Sequence, residues 1–151
     1  PSLLELEVTE DIVLGNEARA QSTFQKIRNL GVRIAFDDFG TDYASLTHLK
    51  KFPMDVLKID RSFVSELRHK RDDAAIVRAT IGLSKEFGLD VIAEGIEEPQ
   101  QLNLLRALGC HLGQGYLLAR PAPADVIESL LASRSLVQPG PTAEIGGFVG
   151  S

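Results

Sequence analysis

Two adjacent carboxylates, Asp37 and Asp38, follow a short apolar run within residues 32–40, VRIAFDDFG. The alternation of apolar with other residues in this run predicts a β-strand that is buried on at least one face. Packing gives no reason to place two neighbouring negative charges at the end of such a strand. The pair therefore indicates either a turn, in which Asp38 caps the next helix, or a divalent-metal site, in which a cation turns the repulsion into ligation.

Hydrophobic periodicity predicts strands that alternate with helices along the chain. The strands are expected at residues 3–8, 32–36, 54–59, 89–93 and 111–114, and the helices at 16–30, 43–51, 72–87, 98–108 and 123–133. Strand–helix repetition predicts an α/β fold with a parallel sheet covered by helices. The length of each repeat fits a (β/α) TIM-type barrel as well as an open sheet. No Gly-x-Gly-x-x-Gly follows any strand, so a dinucleotide-binding fold has no support.

Polar side chains stand at the carboxyl end of each predicted strand. They are Glu7 and Glu10, Asp37 and Asp38, Lys58 and Asp60, Glu94 and Glu97, and Gln114. In a barrel these ends meet at one mouth, where barrel enzymes do their chemistry. A ligand set of oxygens without Cys or His selects hard cations such as Mg²⁺ or Mn²⁺, and two such ions can clamp both oxygens of an in-line displacement at phosphorus.

Lys58 and Glu94 each allow two interpretations. Lys58 is either a cation that neutralises a phosphoryl group or holds a water, or simply a buried partner for a carboxylate. Glu94 is either a general base or a cap for the helix that begins near Pro99. We favour the site role for Glu94, whereas spacing alone does not decide the role of Lys58.

The composition excludes several classes of protein. The 151 residues carry a net charge of −5 and a single cysteine. The acidic balance argues against binding to DNA or RNA polymers, which requires clustered Lys and Arg. A lone cysteine excludes an internal disulfide and fits a reducing, cytoplasmic compartment. The sequence contains neither a membrane-length apolar run nor a signal-peptide pattern, which leaves room for a membrane tether elsewhere in a longer protein.

The chain is also shorter than a complete barrel, which typically takes about 250 residues. We expect residues 1–133 to form about five C-terminal βα units of a barrel, because the sequence starts inside a predicted strand. Residues 134–151, rich in Gly and Pro and without periodicity, are expected to be a flexible polar tail. Strands left unpaired on the open side of such a piece tend to pair with another chain, so a homodimer is expected.

Five short motifs in one order give the chain a family resemblance. They are EVTE at 7–10, DDFGT at 37–41, KIDRSFV at 58–64, AEGIE at 93–97 and QGY at 114–116, the last followed by Arg120-Pro121. Together they closely resemble the EAL-type cyclic di-GMP phosphodiesterases over about residues 3–131. The resemblance implies a barrel that hydrolyses cyclic di-GMP to linear pGpG with two Mg²⁺ or Mn²⁺ ions, in a protein with regulatory or sensor domains elsewhere.

The resemblance also implies a role for each matching residue. Glu7, Asp37 and Asp38 match metal ligands, Asp37 being shared by both ions. Glu94 matches the proposed general base, Lys58 the lysine that contacts the attacking water or the phosphate, and Gln114 an amide that helps to hold the water. Glu10 and Glu97 match residues that support loops. Tyr116 and Arg120 are candidates for substrate binding by position alone.

The sequence departs from the family pattern in two respects. The Glu-Ala-Leu signature and an asparagine ligand are absent, since both belong to the first half of the barrel, so these residues alone are expected to be weakly active or inactive. Asp42 stands where the loop after the aspartates usually has glycine. One alternative is therefore a catalytically degenerate module that binds cyclic di-GMP or a partner protein. Another metal-dependent barrel, with a lysine base acting on a carbon acid, fits the motifs poorly.

Overall fold

The computed structural model describes residues 3–9, 12, 15–40 and 46–133, and within them five parallel strands form one sheet. The strands are β1 (Glu5–Val8), β2 (Arg33–Phe39), β3 (Val56–Ile59), β4 (Asp90–Ala93) and β5 (Leu112–Gly113). They lie in the order β1-β2-β3-β4-β5, and every neighbouring pair is parallel. Each strand is thus added on the same side of the preceding one, as in a barrel and unlike a doubly wound sheet. The predicted α/β class is confirmed.

Helices follow the strands. They are α1 (Glu17–Asn29), α2 (Leu46–Lys51), α3 (Arg61–Glu66), α4 (Arg71–Phe87), α5 (Pro99–Leu108) and α6 (Ala124–Ser133). The helix periodicity located all of them except α3, which is too short to show a period. Within the described part of the chain, no helix combines the length and the apolar character needed to cross a bilayer. The predicted tail at 134–151 and the predicted helix start at 43–45 lie outside the described residues.

Local signals explain where the helices begin and end. The side chain of Asp60 accepts a hydrogen bond from the Ser62 N–H at 2.9 Å and so caps α3. Helix α5 begins with a capping box between Glu98 and Gln101 and has Pro99 in its first turn. Because Glu98 performs this task, the alternative role of Glu94 as the cap of α5 is wrong.

The sheet is buried on both faces. One face, which we call the inner face, carries Ala35, Val56 and Ile92, packed together with Leu112. On the opposite face Ile34 and Leu57 are fully buried beneath the helices. Burial of a side chain of this size stabilises the fold by roughly 1.5–3 kcal/mol. Two-sided burial explains why β2 reads as a nearly continuous apolar run before the aspartates.

Candidate active site

Side chains at the carboxyl ends of all five strands meet on the inner face. Alternation along each strand places them above the apolar layer of Ala35, Val56 and Ile92. They are Glu7, Asp37, Lys58, Glu94 and Gln114, and each contacts at least one other member of the group. The structure therefore brings together residues that lie more than a hundred positions apart in the chain.

Lys58 lies at the centre of this group, with only 3% of its side chain exposed. Its Nζ donates a hydrogen bond to Glu7, lies 2.5 Å from Glu94 Oε1 and lies 3.4 Å from Asp37 Oδ1. Burial by itself lowers the pKa of Lys58, but the hydrogen bonds to Glu7 and Glu94 and the charge of Asp37 outweigh it and raise that pKa above its usual value. The ammonium is consequently charged, and its charge is already shared by three carboxylates.

Glu94 is the most enclosed of these carboxylates, with 16% of its side chain exposed. Its Oε1 accepts a hydrogen bond from Gln114 Nε2 at 2.7 Å. Burial raises the pKa of Glu94, and the negative charges of Asp37 and Glu7 act in the same direction, while Lys58 opposes them. A carboxylate with a raised pKa accepts a proton more readily, which suits a general base.

The aspartate pair lies in a β-bulge within β2, and not after the end of the strand as predicted. Phe36 pairs with Leu57 and Phe39 with Ile59, so β2 contains one residue more than β3 between these pairs. The extra residue allows both phenylalanines to pack on the helix-covered face, with their rings edge to face at 5.9 Å. In a regular strand, residues three apart would point to opposite faces.

The bulge also determines where Asp38 stands. Asp38 has a φ of +53°, a left-handed conformation that aspartate adopts more easily than most residues. Its side chain is exposed, and its backbone N–H donates to Asp37 Oδ1 at 3.0 Å. Asp38 lies within β2, and residues 41–45, which precede the next helix at Leu46, lie outside the described residues, so the interpretation of Asp38 as a helix cap stays a prediction.

A cleft of about 490 Å³ opens beside Glu94 and Gln114. Its walls include Arg61, Glu97, Tyr116 and Arg120. The guanidinium of Arg120 stacks over the Tyr116 ring at 4.3 Å, which forms a flat platform with a positive charge. The substrate-binding candidates Tyr116 and Arg120 therefore line the same cleft as the proposed base.

The loops after β4 and β5 hold this cleft in place through their backbones. Ile96 N–H donates to Gln114 O at 3.1 Å, and Leu117 N–H donates to Ile96 O at 2.9 Å. Gly115 permits this close approach, because a Cβ at that position would lie 2.2 Å from the backbone N and O of Ile96. Glu94 and Gln114 are therefore positioned by a direct link between their two loops.

The donor set fits a hard divalent cation in its chemistry. Glu7, Asp37 and Asp38 supply carboxylate oxygens, which Mg²⁺ and Mn²⁺ prefer. Across the described residues, however, no three Asp, Glu, His or Cys side chains form a ready-made metal cluster. Instead the ammonium of Lys58 lies between the oxygens of Glu7, Asp37 and Glu94.

The remaining site predictions have mixed outcomes. Glu97 lines the cleft, and its backbone N–H donates to Gln101 Oε1 at 2.9 Å. Asp60 was predicted to stand with the other polar residues at the strand ends, but its side chain caps α3 and takes no part in the group around Lys58. Glu10 and Asp42 lie outside the described residues. The sequence reasoning missed Arg61, although its position within the KIDRSFV motif, three residues after Lys58, was a usable signal.

Comparison with known proteins points to one family. A sequence profile described as the EAL domain matches residues 1–121. The cyclic di-GMP phosphodiesterase NbdA of Pseudomonas aeruginosa is 44% identical over 128 residues, which is 85% of this chain and 16% of that protein. The chain thus spans about one sixth of this relative's length.

Solved structures show the same likeness. The PaMucR phosphodiesterase in complex with c-di-GMP is 45% identical with a TM-score of 0.79, over 84% of this chain and 51% of that one. BlrP1 of Klebsiella pneumoniae, in a manganese/cy-diGMP complex, is 31% identical with a TM-score of 0.75, over 81% of this chain and 31% of that one.

Proposed function

The chain belongs to the EAL domain family, and from this premise we propose that the protein hydrolyses cyclic di-GMP to linear pGpG. The observation that carries the proposal is the group of Glu7, Asp37, Lys58, Glu94 and Gln114 at one end of the sheet. A cleft large enough for a nucleotide opens directly beside it. The relatives with this activity are longer than the chain, so the activity of the whole protein is part of the proposal.

In the proposed reaction Glu94 acts as the general base. Its carboxylate accepts a proton from water as the water oxygen attacks phosphorus and the P–O3′ bond breaks. The leaving 3′-oxygen takes up a proton from solvent, which gives a 5′-phosphate and a 3′-hydroxyl. Gln114 holds the Glu94 carboxylate through its amide and can orient the water. Lys58, whose raised pKa keeps it charged, stabilises the negative charge that develops on the phosphoryl oxygens.

We assign Glu7, Asp37 and Asp38 as ligands of Mg²⁺ or Mn²⁺. When bound, the cation supplies Lewis-acid polarisation of the phosphoryl group and lowers the pKa of a coordinated water. The carboxylates of Glu7 and Asp37 must then share their oxygens between the cation and Lys58. The manganese in the BlrP1 complex supports a metal of this class.

We propose a supporting role for the other residues around the cleft. Tyr116 and Arg120 offer a stacking platform to a nucleobase. Glu97 supports the loop after β4, where Gln101 already holds two backbone N–H groups. For Glu10 we keep the role that the family resemblance implies, a glutamate that steadies the loop after the aspartates.

Conversion of cyclic di-GMP, followed by chromatography with Mg²⁺, with Mn²⁺ and with chelator, tests the proposal. The whole wild-type protein should produce pGpG only with a divalent ion, and Glu94→Gln in it should lower kcat by about 10²–10⁴-fold, the usual contribution of a general base. Glu86→Gln, which removes an exposed carboxylate on α4, is the matched control and should retain full activity.

Two results would contradict the proposal. Binding of cyclic di-GMP that survives chelation and yields no product would make the protein a receptor built on an enzyme's fold, the degenerate alternative. Equal activity of Glu94→Gln and wild type would remove Glu94 from the role of base.

We also propose that the protein self-associates and acts in the cytoplasm. Within the described residues β1 and β5 each have one strand neighbour, and Leu4 and Leu6 beside the β1 edge are exposed. The single, buried cysteine fits a reducing compartment. A stable monomer at high concentration, measured by chromatography with light scattering, would contradict self-association.

A further inference from the structure

We infer that Arg61 binds the second, non-reacting phosphate of the dinucleotide in the cleft. This inference rests on the proposed function, and it assigns to the substrate a contact beyond the reacting group. The first observation is the position of Arg61, at the start of α3 and in the wall of the cleft that contains Glu94, Gln114, Tyr116 and Arg120.

The second observation is that the other cations near the cleft are engaged. Lys58 is held by Glu7, Asp37 and Glu94, and the proposed reaction uses its charge at the reacting phosphate. Arg120 stacks on the ring of Tyr116. A cyclic dinucleotide carries two phosphates, whereas the protein as a whole is acidic, with a net charge of −5. The second phosphate therefore needs a cation besides Lys58.

Arg61 meets this need because its guanidinium is available. Within residues 3–9, 12, 15–40 and 46–133, no ion pair or side-chain hydrogen bond engages the Arg61 guanidinium. Its charge acts weakly on the neighbouring Asp60: burial raises the pKa of that carboxyl, hydrogen bonds from Ser62 lower it, and the Arg61 charge adds the smallest lowering effect. The neighbouring carboxylate of Asp60 accepts hydrogen bonds from the N–H and the hydroxyl of Ser62. In the part of the chain that the structure describes, the carboxylates of Glu7, Asp37 and Glu94 form their ion pairs with Lys58 and none with Arg61.

The backbone fixes Arg61 relative to the proposed base. Gly95, the residue after Glu94, lies directly against the stem of Arg61: a Cβ on Gly95 would be 2.6 Å from Arg61 Cβ and 3.4 Å from its Cα. Gly95 itself has a φ of +67°, a conformation in which glycine is favoured. The stem of Arg61 and the backbone next to Glu94 are therefore in contact, and both residues line the same cleft.

The test compares two ligands that differ in the second phosphate. The product pGpG contains an internal phosphodiester, whereas guanosine 5′-monophosphate does not. Calorimetric titration of Arg61→Ala should show pGpG binding weakened about tenfold, the loss expected for one hydrogen bond to a charged group in an exposed cleft. Binding of guanosine 5′-monophosphate should change less than about twofold. Alanine keeps the Cβ that packs on Gly95, so the fold is retained.

Kinetics and control variants complete the test. Arg61→Ala should raise KM for cyclic di-GMP about tenfold with kcat nearly unchanged, as expected for a contact made equally in the ground and transition states. Arg61→Lys should restore part of the binding, and Arg78→Ala, which removes an exposed arginine on α4, should have no effect.

Three results would overturn the inference. If Arg61→Ala binds pGpG as tightly as wild type does, while wild type turns over cyclic di-GMP, the inference fails and the proposed function stands. If both ligands weaken equally, Arg61 contacts the base or the reacting phosphate instead. If the whole wild-type protein neither binds nor hydrolyses cyclic di-GMP, the proposed function fails and the inference fails with it.

Discussion

The two ends of the inner face of the sheet both place a cation among carboxylates, but in different surroundings. At the carboxyl end, Lys58 contacts Glu7, Asp37 and Glu94 and is 3% exposed. At the amino end, Arg33 lies 2.5 Å from Asp90 and 3.9 Å from Glu5, and its side chain is 38% exposed. The cation is thus buried at the carboxyl end and exposed to solvent at the amino end.

The difference in burial distinguishes a functional site from an ordinary surface ion pair. Exposed ion pairs contribute about 0–1 kcal/mol and need no functional explanation. Burying an ionic group has a desolvation cost that attraction often fails to repay, so stability does not explain the cluster around Lys58. In barrel folds the chemistry is done at the carboxyl ends of the strands. We therefore attribute the buried cluster to function and the exposed one to packing and solubility.

Of the changes that compare the two ends of the sheet, Lys58→Met is expected to have the largest effect, because it keeps the length of the side chain and removes its charge. The developing negative charge on the phosphoryl group then loses a preorganised partner, so kcat should fall on the order of 10²–10³-fold. Conversion of cyclic di-GMP to pGpG measures this, and circular dichroism checks folding. A folded variant within tenfold of wild type would show that Lys58 is only a partner for carboxylates.

A smaller effect, on stability, is expected from Gly115→Ala at the carboxyl end. The added Cβ would lie 2.2 Å from the Ile96 backbone, which cannot move without breaking the link between the loops after β4 and β5. The free energy of unfolding should fall by about 3 kcal/mol in urea denaturation.

Gly82→Ala is the matched control for this variant. Gly82 lies in α4 with nothing within 4 Å of an added Cβ, so alanine there should be neutral or stabilising by up to about 1 kcal/mol. Equal stabilities of the two variants would show that the loops after β4 and β5 can move apart to accommodate a Cβ at position 115 at no cost in the free energy of unfolding.

The smallest effect is expected at the amino end, from Arg33→Met. The substitution breaks the contacts with Asp90 and Glu5, both of which lie near solvent, so the loss of stability should be under about 1 kcal/mol. Activity should be unchanged. A loss of several kcal/mol, or of turnover, would show that the two ends do not differ as their exposure indicates.

Much of the fold and of the site could be predicted from the sequence, because local patterns carried the information. Helices α4 and α5 end at residues 87 and 108 as predicted, because Gly88 and Gly109 follow them in left-handed conformations that glycine adopts readily. The polar residues at strand ends were identifiable because the carboxyl ends of parallel strands share one edge. Glu7, Asp37, Lys58, Glu94 and Gln114 accordingly meet in the structure.

Other features could not be predicted, because they depend on residues distant in the chain. The bulge at Asp37 and Asp38 follows from the pairing of β2 with β3, and no local pattern reveals an extra residue in a strand. Helix α3 is only one or two turns long and owes its start to the Asp60 cap. Arg61 enters the cleft because the loop after β4 packs on its stem.

The sequence by itself determined the alternation of strands and helices, the residue types at the mouth of the sheet and the family to which they belong. Hydrophobic periodicity and helix capping depend on residues only a few positions apart, so they can be predicted from the sequence. Only the tertiary structure decided that Lys58 is buried among three carboxylates, that Gly115 lies against Ile96, and that Arg61 faces the cleft. These contacts join segments up to 51 positions apart, and only the packing of the sheet brings them within reach.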